Sequence, residues 1–353
     1  MHCAQPFEEA IDLATQIPSV VVVIPNWNGE DFLAECLDSL VKQTYANTRI
    51  VVVDNGSHDR SLEILQQFRD IEVIQLDRNY GFAGGVNRGI AWAIDRNSDY
   101  VALFNNDAVA EPDWLEQLVK TAEAYPEVGL TTGKFLKVGN RKTLDSTGEF
   151  YSVWGMGFPR GRDEVDVGQY DGPEQQIVFG GTGGASLYRI EALLEVGLFD
   201  EEFFAYYEDL DVSFRMQLGN WQVRYCPAAR AYHHVGGTSR RLGSFARYHS
   251  VKNNYYVYMK NLPGWLFWRY LPKFLAGMML VTANSWLHGQ FLTWLRAVGR
   301  VVVTMPRTLN QRRRIQRDRK ATLNYINSIL YAFIPPVHRH FGKNSPPPTM
   351  PKL

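Results

Sequence analysis

Short apolar runs alternate with longer amphipathic stretches along the first third of the chain. Four runs rich in β-branched and aliphatic residues predict strands buried on both faces of a sheet, at 19–24, 49–53, 72–76 and 100–104. Between and after them, apolar residues recur every three or four positions and predict helices at 32–40, 61–68, 82–94 and 114–124. Residues 28–31 would supply an N-cap and acids for the first turn of the first helix. The alternation predicts an α/β fold with a doubly wound, mostly parallel sheet.

The regular alternation lapses between residues 131 and 179, where Gly, Arg, Asp and Tyr separate short strand-like pieces. We interpret this segment as an irregular insertion carrying a β-hairpin over the face of the fold that would hold a functional site. At 180–188, four glycines precede a short apolar strand, which fits backbone packed closely against a ligand but also a plain bulged strand. A helix is predicted at 208–218, followed by a strand at 222–225.

The last third of the chain combines a predicted helix at 244–262 with an acid-free apolar stretch at 274–295. That stretch is long enough to span a bilayer, for which about 20 apolar residues suffice. Asn284, Ser285 and His288 interrupt its middle, which disfavours a lone spanning helix. We interpret the region as a helix pair lying on an anionic leaflet, because tryptophans and arginines lie within and beside the stretch. They are Trp265, Trp268, Trp286, Trp294, Arg312, Arg313, Arg314, Arg317 and Arg319.

Composition narrows the class of protein. With 353 residues, of which 45% are hydrophobic, the chain can bury a sizeable core. Its three cysteines have no CxxC spacing, so they indicate neither a disulfide framework nor a zinc site and fit a reducing compartment. The first residues include Glu8, Glu9 and Asp12 and lack the basic-then-apolar layout of a secretory signal. We therefore expect a cytoplasmic protein.

A net charge of zero hides a strong asymmetry between the two parts of the chain. Residues 1–237 hold 18 Lys and Arg against 36 Asp and Glu, whereas residues 238–353 hold 19 against a single acid, Asp318. Such polarity suggests that the basic part faces an anionic surface. Because this part is also rich in Trp, Leu and Phe, we favour a lipid headgroup layer over nucleic acid.

Polar and glycine-rich loops follow the predicted strands. The carboxyl ends of parallel strands share one edge of a sheet, so these loops should lie together at 25–28, 54–57, 79–85 and 105–107. Asp107, flanked by the amides of Asn105 and Asn106, suits a divalent cation and, through it, a diphosphate. An Asx-type loop that satisfies its own backbone is the alternative. The spacing of the dinucleotide-binding fingerprint is absent from the first loop.

Glu208, Asp209 and Asp211 cluster where the 208–218 helix is predicted to begin. The helix macrodipole would stabilise acids there for purely structural reasons, which is one explanation. The aromatic residues just upstream would instead desolvate a carboxyl and raise its pKa, as a general base requires. Tandem His233 and His234 before two glycines indicate a metal ligand only weakly.

Taken in order, these motifs resemble the family 2 glycosyltransferases of the GT-A fold, and within them the rhamnosyltransferase branch. The resemblance covers residues 18–260. Any one motif is unspecific, but the ordered set is specific. The set is Pro25-Asn26-Trp27-Asn28, Asp54-Asn55-Gly56-Ser57, Asn79-x-Gly81-Phe82-Ala83-Gly84-Gly85-x-Asn87-x-Gly89, Asn105-Asn106-Asp107, Glu208-Asp209-Leu210-Asp211 and His234-x-x-Gly237-x-Ser239.

The resemblance implies roles for individual residues. Asp107 would be the last acid of the DxD motif and would bind Mg²⁺ or Mn²⁺ bridging the donor diphosphate, with His234 as second ligand, since the spacing to Gly237 favours it over His233. Asp209 would be the catalytic base, with Glu208 beside it. Many members carry Asp where this chain has Asn105, so we expect weaker metal binding. The nucleotide would contact Pro25, Asn26, Asn28, Asp54, Asn79, Gly81 and Asn106.

The implied function is inverting transfer of a sugar, with rhamnose as first candidate, from a dTDP-, UDP- or GDP-linked donor. The acceptor would be a hydroxyl of a lipid-linked saccharide or polysaccharide at the inner face of the cell membrane. We expect a transferase domain at 18–240, a helical membrane-facing region at 241–335 and a disordered Pro-rich tail at 336–353. We expect no nucleic-acid partner, and a homo-oligomer stays open.

Two alternative functions are consistent with parts of the sequence. Asn105 makes a catalytically silent nucleotide-sugar-binding partner of a polysaccharide-synthesis complex conceivable. A glycosidase is less consistent with the sequence, because its paired carboxylates would not need the loops at 54–57 and 79–85.

Overall fold

A computed structural model describes residues 17–234 and 243–335 of the chain. The strands are β1 (Val20–Asn26), β2 (Thr48–Asp54), β3 (Ile71–Gln75), β4 (Tyr100–Phe104), β5 (Ala108–Ala110), β6 (Val128–Lys137), β7 (Asn140–Ser146), β8 (Glu149–Tyr151), β9 (Gly157–Pro159), β10 (Ile177–Val178), β11 (Ala185–Arg189) and β12 (Gln222–His233). The helices are α1 (Leu33–Leu40), α2 (Ser61–Leu65), α3 (Gly81–Ile94), α4 (Trp114–Ala124), α5 (Ile190–Val196), α6 (Glu208–Leu218), α7 (Gly243–Asn261), α8 (Gly264–Leu287), α9 (Phe291–Val303), α10 (Met305–Asp318) and α11 (Leu323–Ile329).

The first half of the main sheet is parallel, in the order β4-β1-β2-β3. These are the four strands predicted from the apolar runs, and they form because β-branched side chains pack on both faces of the sheet. In the register of β1 with β2, Asn26 lies opposite Asp54, so the loops after both strands leave the same edge. The α/β class and the shared edge of the loops are confirmed.

The second half of the main sheet contains both parallel and antiparallel strand pairs, so the sheet as a whole is mixed. β11 runs antiparallel between β4 and β6, and β12 runs parallel to β6. The predicted insertion from residue 131 is wrong in its first part, because β6 is a ten-residue strand of the main sheet. The middle of β6 is polar in sequence because it contains Lys134. This lysine is nevertheless buried, and its ammonium contacts the carboxylates of Asp166 and Asp171. The hairpin expected further along is present, as β8 paired with β9.

The start of the first helix also differs from the prediction. α1 begins at Leu33, and no side chain caps its N-terminus. Asn28, with φ of 50°, is instead engaged with the loop after β2: its side-chain oxygen accepts a hydrogen bond from the His58 amide at 2.8 Å. The Asn28 amide donates to Ser57 Oγ at 3.0 Å. These contacts hold the two strand-end loops together.

The C-terminal helices pack on the sheet domain and share its hydrophobic core. Tyr256 and Tyr258 of α7 are buried in the same cluster as Phe203, and the Tyr256 and Phe203 rings meet edge to face at 5.8 Å. The described residues on the two sides of the predicted boundary, 18–234 and 243–335, therefore share one core, although the division into domains at 18–240 and 241–335 stays a prediction. Within 17–234 and 243–335, no helix is long and apolar enough to cross a membrane. The tail at 336–353 lies outside the described residues.

Candidate active site

A cleft of about 680 Å³ opens at the carboxyl edge of β1 and β4. The strand-end loops line it, and so do the segment leading into α6 and residues of α7 and α8. Eight of the predicted site residues line it: Pro25, Asn26, Asn79, Gly81, Asn106, Asp107, Glu208 and Asp209. Residues from distant parts of the chain thus meet because the loops leave the same edge of the sheet.

Among the strand-end loops, an amide network fixes the end of β1. The buried Asn26 accepts a hydrogen bond from Asn106 Nδ2 at 2.8 Å and donates to Asp54 Oδ1 at 3.1 Å. Asp54 also accepts from the Ser57 hydroxyl at 2.6 Å, so its buried carboxylate is engaged by protein groups. Asp54 is absent from the cleft lining, and Asn28 lies in a separate hollow of about 250 Å³. The nucleotide-binding roles of both residues stay predictions.

The glycine-rich turn after β3 has a conformation that depends on glycine. Gly81 has φ of 76°, and its amide donates to Asn79 Oδ1 at 2.7 Å. A Cβ at this position would collide with the backbone oxygen of Phe204. That oxygen also accepts from the Ala83 amide at 3.2 Å. The start of α3 is therefore tied directly to the loop that precedes α6.

The acid at the end of the Asn105–Asp107 loop is paired with a histidine. His233 Nε2 lies 3.2 Å from Asp107 Oδ1, and His233 Nδ1 lies 2.8 Å from Asp145 Oδ2. Burial alone would lower the pKa of His233, but the hydrogen bonds to Asp107 and Asp145 outweigh it and raise the pKa to about 9. The ring also stacks on Phe135, with 4.8 Å between centroids.

The structure does not place the imidazole of His234 where the sequence suggested. His234 Nε2 lies 3.1 Å from Glu35 Oε2, and the ring packs against Phe32. Only its backbone amide reaches Asp107, donating to the main-chain oxygen at 2.9 Å. His233 is the imidazole beside the Asp107 carboxylate, because neighbouring side chains near the end of β12 point to opposite faces. Gly237 and Ser239 of the same motif lie outside the described residues.

The donor set around Asp107 fits a divalent ion only in part. A carboxylate and an imidazole whose other nitrogen is held by Asp145 form the arrangement typical of a metal-ligating histidine. Across the ranges that the structure describes, however, no group of three or more His, Cys, Asp or Glu is arranged to hold a metal ion. Water and donor oxygens would have to complete the coordination.

Three further carboxyl groups line the cleft. The half-buried Asp209 accepts hydrogen bonds from the amides of Gly183 at 3.0 Å and Leu210 at 2.8 Å. Burial raises the pKa of Asp209 against the opposing effect of these hydrogen bonds. Glu208 is buried, and burial together with the charge of Asp209 raises its pKa. Sequence reasoning missed Glu149, whose pKa rises to about 8 through burial and the charge of Asp209.

The loop between α5 and α6 leads directly into Glu208 and Asp209. Phe204, Tyr206 and Tyr207 all have positive φ, a conformation that costs about 1–3 kcal/mol for each non-glycine residue. Asn253 of α7, fully buried, donates from its amide nitrogen to three carbonyl oxygens of this loop, those of Phe203, Ala205 and Tyr206, at 2.6–2.9 Å. Such strain at a turn entering a site persists only where the surroundings enforce it.

Comparison with known proteins identifies the family of the chain. The sequence model of the family "Glycosyl transferase family 2" matches residues 21–197. The N-acetylglucosaminyl-diphospho-decaprenol L-rhamnosyltransferase of Mycobacterium tuberculosis is 26% identical over 268 residues, covering 70% of this chain and 86% of that protein. The chain spans only 18% to 49% of the length of three other curated relatives that it matches.

Two solved structures share the fold at low sequence identity. One is GalNAc-T7 with UDP, GalNAc and Mn²⁺, at a TM-score of 0.58 and 16% identity over 81% of this chain and 57% of that chain. The other is the mannosyltransferase PcManGT of Pyrobaculum calidifontis in complex with GDP-Man and Mn²⁺, at 0.51 and 17% over 82% and 76%. With the family match over half of its length, the chain belongs to glycosyl transferase family 2, with the GT-A fold.

Proposed function

We propose that the protein transfers a sugar from a nucleoside-diphosphate sugar to a hydroxyl group of an acceptor, with inversion at the anomeric carbon. The observation that carries this proposal is that Asp209 and the Asp107–His233 pair line the same cleft. In-line displacement needs a base on one side of the anomeric carbon and stabilisation of the leaving diphosphate on the other. The cleft offers a candidate group for each task.

Asp209 is the proposed base. Its raised pKa makes it a better proton acceptor than an ordinary aspartate while the Gly183 and Leu210 amides fix its orientation. The acceptor oxygen forms a bond to the anomeric carbon as its proton moves to Asp209. The bond from that carbon to the diphosphate oxygen breaks, and the nucleoside diphosphate leaves with the electron pair. Glu208 lies beside Asp209 in the lining of the cleft, and its buried Oε2 has no hydrogen-bond partner among the described residues.

The leaving diphosphate is proposed to lie beside Asp107. A bound Mg²⁺ or Mn²⁺ would neutralise the charge that develops on the diphosphate. Asp107 and His233 are the residues that would hold such an ion, with Asp145 fixing the imidazole. To do so, His233 would have to release the proton that its raised pKa retains in the ion-free protein. The amides of Asn26 and Asn106 and the turn at Asn79 and Gly81 are proposed to contact the nucleotide.

Donor and acceptor are narrower proposals. The relative from Mycobacterium tuberculosis supports dTDP-L-rhamnose as the first donor to test, with UDP- and GDP-linked sugars next. That relative is also named for a lipid-linked acceptor, which supports a lipid-linked saccharide as the acceptor and a role in polysaccharide synthesis. The inner face of the cell membrane as the place of transfer is a further proposal. A catalytically silent nucleotide-sugar-binding partner is the second candidate, because Asn105 stands where many members carry an acid.

The test is release of nucleoside diphosphate from a panel of nucleotide sugars, with and without Mn²⁺ or Mg²⁺ and with membrane extract as acceptor source. We expect release that requires both the ion and Asp107, so that Asp107→Ala abolishes it. Asp209→Asn should lose about 10²–10⁴-fold in turnover, the usual contribution of a positioned base, while donor binding and melting temperature are kept. Donor binding without release by the unmodified protein would establish the silent partner instead.

A further inference from the structure

One face of the helices α8 and α9 exposes large apolar side chains to solvent. Trp268, Trp286 and Leu287 of α8 are 70%, 74% and 82% exposed, and Leu292 and Val303 of α9 are 69% and 73% exposed. Surface helices of globular proteins normally turn such residues toward the core. We call this surface the α8–α9 face. A continuous apolar patch of this kind marks a contact with another apolar phase or partner.

The charges carried by the helices α8 and α9 themselves are of one sign. The sequence contains no Asp or Glu between residues 238 and 317, so neither helix carries an acid. Arg269, Lys273 and Arg296 are exposed on the two helices. Arg269 lies over the ring of Trp265, 5.1 Å from its centroid, as guanidinium and indole groups do at a headgroup boundary. Apolar side chains flanked by cations complement an anionic lipid surface.

The α8–α9 face adjoins the cleft. Met278 and Val281 of α8 line the cleft, whereas their neighbours Met279 and Leu280 are exposed. One helix therefore contributes both to the wall of the cleft and to the exposed apolar face. A surface bound to that face would lie next to the wall that α8 gives to the cleft.

We propose that the α8–α9 face docks on an anionic lipid headgroup layer and holds the cleft at that layer, so that the acceptor is drawn from the same leaflet. The docking surface is argued from exposed residues alone, whereas its part in delivering the acceptor rests on the proposed function. The apolar side chains enter the headgroup boundary, and the cations contact lipid phosphates. A second copy of the chain is the competing occupant.

The test is co-flotation of the full chain with phosphatidylcholine vesicles, with and without phosphatidylglycerol. We expect binding that needs the anionic lipid and weakens with salt. The double variant Leu287→Ser with Leu292→Ser should bind at least about tenfold more weakly, because it removes apolar contact with the layer. The matched control is Val167→Ser with Leu194→Ser, which removes side chains that are 79% and 59% exposed elsewhere and should bind as the unmodified protein does.

Each other outcome has a clear meaning. Absence of vesicle binding, or equal loss in the control variant, overturns the docking surface. A dimer in sedimentation that only the Leu287→Ser, Leu292→Ser variant dissociates overturns it in favour of a second copy. Vesicle binding without transfer to any acceptor supports the docking surface and contradicts the proposed function. Transfer to a soluble acceptor without vesicle binding supports the function and overturns the docking surface.

Discussion

Glu149 shows how a single residue gains its chemistry from its surroundings. Its backbone amide donates to Gly180 O at 2.7 Å and its carbonyl accepts from Gly180 N at 3.0 Å, so the side chain is fixed beside the glycine-rich segment and Asp209. Nothing around this position in the sequence distinguishes it from other surface glutamates. Burial near a second carboxylate makes it a proton-holding group at neutral pH.

This raised pKa predicts a pH dependence of stability. Because the folded-state pKa of about 8 exceeds the ordinary value of 4.5, the contribution of Glu149 to the free energy of unfolding is fully present below pH 4.5 and is lost as pH rises toward 8. Glu149→Gln removes this titration. Urea unfolding should therefore find the variant gaining stability relative to the unmodified protein between about pH 5 and pH 8.

The control for this measurement is Glu127→Gln, which changes an exposed glutamate. The difference in free energy of unfolding between Glu127→Gln and the unmodified protein should be the same at about pH 5 and at about pH 8. A constant difference for Glu149→Gln as well would show that Glu149 is ionised in the folded protein.

The two histidines at the end of β12 mark a limit of reasoning from single residues. The sequence identified the tandem pair, and the spacing to Gly237 favoured His234. In the structure, His233 faces Asp107 and His234 faces Glu35. Successive side chains of a strand alternate between faces, so the choice depends on the register of β12 with β5 and β6, which no local pattern encodes.

At the scale of elements, the loop before α6 and the helix α7 act together. The positive φ values of Phe204, Tyr206 and Tyr207 are held by contacts that come from α7. Lys252 donates to Glu202 O at 2.6 Å, and His249 Nδ1 lies 3.1 Å from Phe203 O. Burial and the nearby Lys252 charge lower the pKa of His249 to about 4, so the ring is neutral when it donates. The helix α7 thus supports the loop that leads into α6.

Asn253→Ala should disturb this support. It removes the side-chain donor of the Ala205 and Tyr206 carbonyl oxygens and one of the donors of Phe203 O, which keeps His249 Nδ1 and the Ala205 amide. We expect this loss to cost about 2 kcal/mol of stability. If the loop positions Asp209, turnover should fall further than the loss of folded protein explains, with little change in the donor KM. Steady-state kinetics and urea unfolding measure the two effects.

The control at this scale is Asn310→Ala on the exposed side of α10, which should leave both quantities unchanged. Unchanged turnover of correctly folded Asn253→Ala would show that the loop keeps its shape without α7. The sequence predicted the helices α6 and α7. The contact between α7 and the loop before α6, however, joins residues about 50 positions apart and is set by packing.

At the scale of the whole molecule, the charge asymmetry of the sequence is partly used internally. Asp200 and Glu202 of the acidic part pair with Arg307 at 2.9 Å and 2.7 Å, and Lys260 lies 2.8 Å from Asp200 and 3.0 Å from Asp211. Burial would raise the pKa of Asp200, but Lys260 and Arg307 hold it well below its usual range. The basic helices therefore also serve as counter-charges for the sheet domain.

Lys260→Met tests this connection. The ammonium and both carboxylates are buried, and removal of the cation leaves Arg307 beside Asp200 and Arg215 beside Asp211 as the remaining counter-charges. Because breaking a buried pair typically costs about 3–5 kcal/mol, we expect destabilisation at the lower end of that range. Lys320→Met is the matched control, because the Lys320–Glu195 pair at 2.8 Å is largely exposed and such pairs contribute at most about 1 kcal/mol. Urea unfolding of both variants gives the comparison, and equal small losses would mean that the two parts are held by apolar packing alone.

The sequence by itself determined the α/β class, the four parallel strands, the edge at which their loops gather and the acids at the start of α6. Each of these follows from periodicity or from strand-end geometry, which are local properties of the chain. Tertiary structure alone decided that residues 128–137 enter the sheet, that Glu149 joins Asp209, and that His233 faces Asp107. These features depend on strand register and on which distant groups neutralise a buried charge such as Lys134, so they exist only once the whole chain has folded.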